Sequence, residues 1–114
     1  MALAITVQQV DTDQKGVYIF GTLAPSGNYA TGGDTLDFSA AGVVDKIAAG
    51  TAPVQVWIGG TTGDSYGWVA GSSLANGKAK INTASGTELA SGAYPARITG
   101  DANIQVEAVF KKLL

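Results

Sequence analysis

The chain has 114 residues, 14% of them charged, with a net charge of −2 at pH 7 and neither His nor Cys. That length fits one domain, residues 1–114, able to bury about 65% of its unfolded surface without staples. The missing residue types exclude Ser-His-Asp and Cys-His nucleophiles, thiolate zinc sites and redox chemistry. Charge this sparse, with Lys111-Lys112 the one adjacent basic pair, does not suit nucleic acid as a partner.

The chain is 46% apolar and contains 16 glycines. Ala, Thr and Ser are abundant, whereas Glu, Lys, Leu and Arg, which helices favour, are few. Short strands joined by Gly-rich turns are therefore expected, and disorder is not. Met1 to Ile5 lacks the basic region and apolar length of a signal peptide. No stretch approaches the roughly 20 apolar residues of a membrane helix. Synthesis in the cytoplasm, without a membrane partner, is the expectation.

Ile5 to Val10 alternates apolar and polar with a slip at Gln8-Gln9, which reads as a strand with a bulge. Asp11 to Gly16 is a polar turn, and Val17 to Leu23 is a β-branched and aromatic strand that closes a hairpin. Ala24 to Gly33 carries Pro25, Gly27, Asn28, Gly32 and Gly33 and reads as a loop. Thr35 to Phe38 and Val43 to Ile47 read as short strands. Pro53 leads a strand to Ile58 in which Val54, Val56 and Ile58 share a face. Gly59 to Asp64 reads as a flexible hairpin tip leading to Ser65–Ala70, with Trp57, Tyr66 and Trp68 as cross-strand neighbours. Asn76-Gly77 is the sharpest turn signal. Lys78 to Ala84 is half-polar, which suggests an exposed or edge strand. Ser85 to Gly100 is irregular. Its Ser85-Gly86-Thr87-Glu88 has capping-box spacing, but Leu89-Ala90-Ser91-Gly92 is too short for a stable helix, so the segment reads as a turn. Asn103 to Phe110 alternates, placing Ile104, Val106, Ala108 and Phe110 on one face or shifting by a bulge near the end. Seven to eight short strands imply an all-β fold: an antiparallel β-sandwich, jelly-roll-like, or a small barrel.

Little in this pattern suggests catalysis, and no catalytic residue, metal ligand or cofactor site is assigned. Asp11-x-Asp13 with Gly16 starts like a calcium loop, but Lys15 stands at an acceptor position and Thr22 where the closing Glu belongs. Asp34 and Asp37 read as turn and cap residues. Gly59 to Gly63 lacks the phosphate-binding Lys and a following helix. Trp57 and Trp68 read as core or cross-strand packing, as a partner interface, or as a stacking platform for a sugar. Tyr29 and Tyr94 sit in Gly/Pro-rich loops. Either those loops fold back over the sheet, or the tyrosines anchor a partner.

The segment Val17 to Asp37 holds a strand followed by Tyr29-Ala30-Thr31-Gly32-Gly33-Asp34-Thr35-Leu36, a Tyr-x-Thr-Gly-Gly-Asp-x-Leu element. This resembles the small structural proteins that accompany the major capsid protein of tailed bacteriophages. The central Tyr/Trp hairpin at Val54 to Ala70, the Lys-rich strand at Lys78 to Thr83 and the closing strand at Asn103 to Phe110 come in a similar order. The Gly-rich tip at Gly59 to Gly63 departs from it. The resemblance implies a head decoration, or cement, protein on the capsid surface of the virion. Such a protein is a homo-oligomer, dimer or trimer, that bridges and stabilises major capsid protein subunits. The candidate partner-interface residues are Tyr29, Thr31, Tyr94 and Arg97 in the loops and Trp57 and Trp68 on the hairpin. A tail or fibre component, or a carbohydrate-binding β-sandwich module using the two tryptophans, are the other readings.

Overall fold

The computed structural model describes residues 3–13, 16–39 and 51–111. The expected strand at Val43 to Ile47 lies outside the described residues. The elements, in chain order, are β1 (Leu3–Thr12), β2 (Gly16–Pro25), β3 (Asn28–Tyr29), β4 (Asp34–Leu36), β5 (Gln55–Gly59), β6 (Ser65–Val69), β7 (Gly77–Asn82), β8 (Gly92–Ala93), α1 (Ala96–Thr99) and β9 (Gln105–Lys111). Seven strands form one antiparallel sheet in the order β1-β2-β9-β5-β6-β7-β4, and β3 pairs with β8 separately. The large sheet curls until its edge strands, β1 and β4, come alongside each other without a ladder between them. The fold is thus all-β, antiparallel and sandwich-like, around one cluster of buried apolar side chains.

The β1–β2 hairpin shows how the pattern acts. Pairing runs from Leu3↔Pro25 to Val7↔Gly21 and resumes at Gln9↔Phe20, so Gln8 is the extra residue of a bulge. Strand side chains alternate with a period of two, so one inserted residue reverses the phase. Ile5 and Val7 before the bulge and Val10 after it therefore all pack against the core. Without the bulge, regular pairing through Gln8 would turn the polar Gln9 inward and Val10 outward. The bulge presses the β1 backbone onto β2, where a Cβ on Gly21 would stand 2.4 Å from the Thr6 carbonyl oxygen. Only glycine fits there.

The last strand occupies the middle of the sheet. β9 pairs with β2 from Gly16↔Lys111 to Thr22↔Gln105 and with β5 from Gln55↔Val109 to Gly59↔Gln105. Ile104, Val106, Ala108 and Phe110 are all buried, with no bulge between them. Phe110 meets Phe38 edge-on at 5.2 Å, and Phe38 meets Trp68 at 6.0 Å, geometries that favour aromatic pairs.

Several local signals yield to this packing. Asn76-Gly77 is not a two-residue hairpin turn: the chain turns over Ser72 to Asn76, and Gly77 opens β7. Asn76 Oδ1 accepts the Ser73 N–H at 2.9 Å while its Nδ2 donates to Ser72 at 2.8 Å. Gly77 is needed for another reason, since a Cβ there would lie 2.0 Å from the Trp68 ring. The Lys-bearing strand β7 is not an edge, because β6 and β4 flank it. Val54 is not on the core face: it precedes β5, is 68% exposed, and donates its N–H to the Val109 carbonyl. Ser85 to Glu88 does form a turn, closed by Thr83 N–H to the Thr87 carbonyl at 2.7 Å. The one-turn helix α1 goes beyond the irregular reading of that stretch.

Gly21→Ala should cost about 3 kcal/mol through overpacking against backbone that cannot move aside. Urea unfolding of the two proteins measures it, and a loss below about 1 kcal/mol would contradict this account of the bulge.

Candidate functional site

Two loops, Pro25 to Gly33 and Thr83 to Tyr94, are joined by the short β3–β8 ladder, Asn28↔Ala93 and Tyr29↔Gly92. Beneath it, Tyr29 and Tyr94 are both buried, ring edge to face at 5.9 Å. The Tyr29 hydroxyl donates to Glu88 Oε2 at 2.7 Å and accepts the Ile81 N–H at 3.1 Å. The same Glu88 oxygen accepts the Gly32 N–H at 2.6 Å. Tyr94 donates its hydroxyl to Asp34 Oδ2, and Asp34 Oδ1 accepts the Ala30 N–H at 3.2 Å. Glycine is required in this turn: Gly32 and Gly33 have φ of 93° and 109°, a region closed to most side chains. Burial pushes the Tyr29 phenol up to about 12. The Gly32 N–H and the Tyr29 hydroxyl hold the Glu88 carboxyl below its ordinary value.

Of the two readings of Tyr29 and Tyr94, the structure shows the loops folded back, with both rings buried. Their rings and hydroxyls are spent inside the chain, and the loops they hold down form the surface. That surface exposes Ser26 to Asn28, Ala30 and Thr31 on one loop and Ala84 to Thr87, Ala90 and Ser91 on the other. No exposed residue in these sets is charged. Thr31 keeps its candidate status, at the tip of a turn closed by Gly33 N–H to the Ala30 carbonyl at 2.9 Å.

A second clamp organises the β5–β6 connection, which is pinned where a flexible tip was expected. Arg97 on α1 donates from Nε and Nη2 to the two oxygens of buried Asp64, at 3.0 and 2.9 Å. Such two-pronged geometry makes a strong charge-assisted pair. Arg97 holds Asp64 from the surface, with its own side chain 44% exposed. Asp101 accepts the Thr61 N–H at 2.8 Å, the Thr61 hydroxyl at 2.9 Å and the Asn103 N–H at 2.9 Å. These donors hold its carboxyl below the ordinary range. Gly60 lies so close to the Tyr66 ring that a Cβ would come within 2.9 Å of it.

The tryptophans part company. Trp68 is half-buried against the core, whereas Trp57 is 52% exposed on the outer face of the sheet. Trp57, Tyr66 and Trp68 therefore do not form one aromatic neighbourhood, and no platform uses both tryptophans. Trp57 borders an open groove of about 610 Å³. Asp34 and Asp37 both serve turns: Asp34 holds its loop through the Ala30 N–H, and Asp37 Oδ1 accepts the Ser39 N–H at 2.8 Å. Asp13 closes its hairpin by accepting the Gly16 N–H at 3.0 Å. The residues that sequence reasoning missed are Glu88, Asp64 and Asp101. Glu88, at the end of the Ser85-Gly86-Thr87-Glu88 capping-box spacing, and Asp101, two residues before an Asn in a turn-like stretch, each carried a local signal. Comparison of the chain with protein-family models, curated protein sequences and solved structures finds no match.

Tyr29→Phe leaves the Ile81 N–H buried without its acceptor and should lower stability by about 2 kcal/mol; calorimetric melting measures the loss. Glu88 has a depressed folded pKa, so the stability it confers is present above its unfolded pKa and lost as pH falls through the folded one. Glu88→Gln should therefore melt lower than the native chain at pH 7, with the gap closing as pH drops below the ordinary value of 4.5. A gap independent of pH would count against these Glu88 bonds.

Proposed function

We propose that this chain is a capsid decoration protein of a tailed bacteriophage. In this reading it binds the outside of the icosahedral head as a homo-oligomer and bridges major capsid protein subunits. The observation that carries the proposal is the uncharged loop surface around Thr31, held rigid by the Tyr29–Glu88 and Tyr94–Asp34 bonds. Uncharged side chains shed water at less cost than charged ones, and a pre-ordered loop loses little entropy on docking. Many copies on a lattice then stabilise it through individually modest contacts. The Tyr29 to Leu36 element that resembles phage decoration proteins is the same element that builds this surface. Its tyrosine, glycines and Asp serve the loop's shape, so the resemblance concerns a folded platform and not a set of contact side chains.

The test is co-sedimentation with empty expanded heads stripped of this subunit. Saturable binding at a fixed ratio to the shell protein, with a rise in shell melting temperature, is expected. Thr31→Arg should weaken that binding at least about tenfold, roughly the 1.4 kcal/mol of one buried unpaired contact, while its own melting temperature holds. Absence of binding to expanded heads overturns the proposal.

A further inference from the structure

The outer face of the sheet carries a site that shell binding through the loops does not use. Across three strands, register aligns Phe20 on β2, Glu107 on β9 and Trp57 on β5 in one row. Phe20 and Trp57 are two strand spacings apart, about 10 Å. Both project outward, 36% and 52% exposed. Glu107 stands exposed between them.

A groove runs from Trp57 along β5 to Thr61, about 13 Å of extended chain. Its floor is open because Gly59 has no side chain and a Cβ there would meet nothing within 4 Å. Gln105, opposite Gly59, and Asn103 form the far wall. Asp101 ties both walls together by accepting from Thr61 and from Asn103, so the groove is formed before any ligand arrives. A smaller cavity of about 120 Å³ continues it across Gln105 and Glu107 to Phe20 and the bulge residue Gln8.

We infer that this groove binds a neutral oligosaccharide. The aromatic plates suit the apolar C–H faces of sugar rings. The amides of Gln8, Gln105 and Asn103 can donate and accept, and the Glu107 carboxylate can accept from hydroxyls. A protein partner fits less well, because the core of a protein interface is depleted of charge and would bury Glu107 unpaired between two rings. Hydroxyl groups would satisfy it. Anionic polymers are disfavoured, because among the described residues Glu107 is the one charged group lining either cavity and it is negative. The length of the groove suits several sugar units in preference to one.

The inference stands apart from the decoration reading, and its test separates the two. The full chain is titrated with cellohexaose, chitohexaose, laminarihexaose, maltohexaose and mannohexaose, with a hyaluronan oligosaccharide as the anionic counterpart. Calorimetry and tryptophan fluorescence are the readouts. Saturable binding of at least one neutral hexasaccharide is expected, with a blue shift from the solvent-exposed Trp57. Trp57→Ala and Glu107→Ala should each weaken binding at least about tenfold without altering the melting temperature, while Val69→Ala, on an exposed strand end outside the groove, binds as the native chain does. Failure of every neutral hexasaccharide to bind overturns the inference, as does unchanged affinity in Trp57→Ala or preference for hyaluronan. If Trp57→Ala abolishes co-sedimentation with heads while no sugar binds, the face belongs to a protein partner instead.

Discussion

The hydroxyl of Tyr29 joins parts of the chain that sheet pairing leaves separate. It donates to Glu88, 59 residues away, and accepts from the Ile81 N–H of β7. Glu88 in turn reaches the Gly32 N–H, so one phenol and one carboxylate fix a turn, a strand and a distant loop together. Inside a protein an unpaired hydroxyl or N–H is costly, and a complete network is correspondingly rigid. Tyr94 and Asp34 repeat the arrangement beside it.

The two faces of the large sheet do different work, and the parity of each strand decides which residues serve which face. Inward positions of β2 and β9 are apolar and buried, including Val17, Ile19, Val106 and Phe110. Their outward neighbours Phe20, Gln105 and Glu107 are aromatic or polar. Trp57 and Trp68 differ by this rule alone: each lies on a strand of the same hairpin, but on opposite sides of it. A half-exposed Trp on a rigid strand retains much unburied apolar area, which is the property of a binding plate.

Rigidity recurs in the connections. The Gly-rich segment between β5 and β6 is held at Thr61 by Asp101 and at Asp64 by Arg97. Carboxylates do this work repeatedly: Asp13, Asp34, Asp37, Asp64, Glu88 and Asp101 each accept a hydrogen bond from a turn, loop or helix group. In a chain with few charges, most described acids thus shape turns, and Asp11 and Glu107 are the described acids that lie exposed on strands.

Much of this was legible in the linear chain. Alternation with a period of two is a local property, so the inward faces of β2 and β9 could be read directly, as could the slip at Gln8-Gln9 that became the bulge. The Gly/Pro-rich loops and the Ser85 to Glu88 turn were equally local. The fate of Tyr29 and Tyr94 was not, because their partners lie 59 and 60 residues away. The same holds for Asp101 and Thr61, 40 residues apart. Gly77 looked like half of a tight turn, but its lack of a side chain serves the Trp68 ring packed over it. β7 looked like an edge until β4 paired with it, and the row of Phe20, Glu107 and Trp57 exists only because β9 inserts between β2 and β5. Backbone alternation and turn chemistry depend on neighbours in sequence, so the chain alone determined most of its longer strands and, Val54 apart, the faces they present, but not the short β3–β8 ladder. Which strands lie side by side depends on long-range burial, so only the tertiary structure decided which side chains became pillars and which became surface.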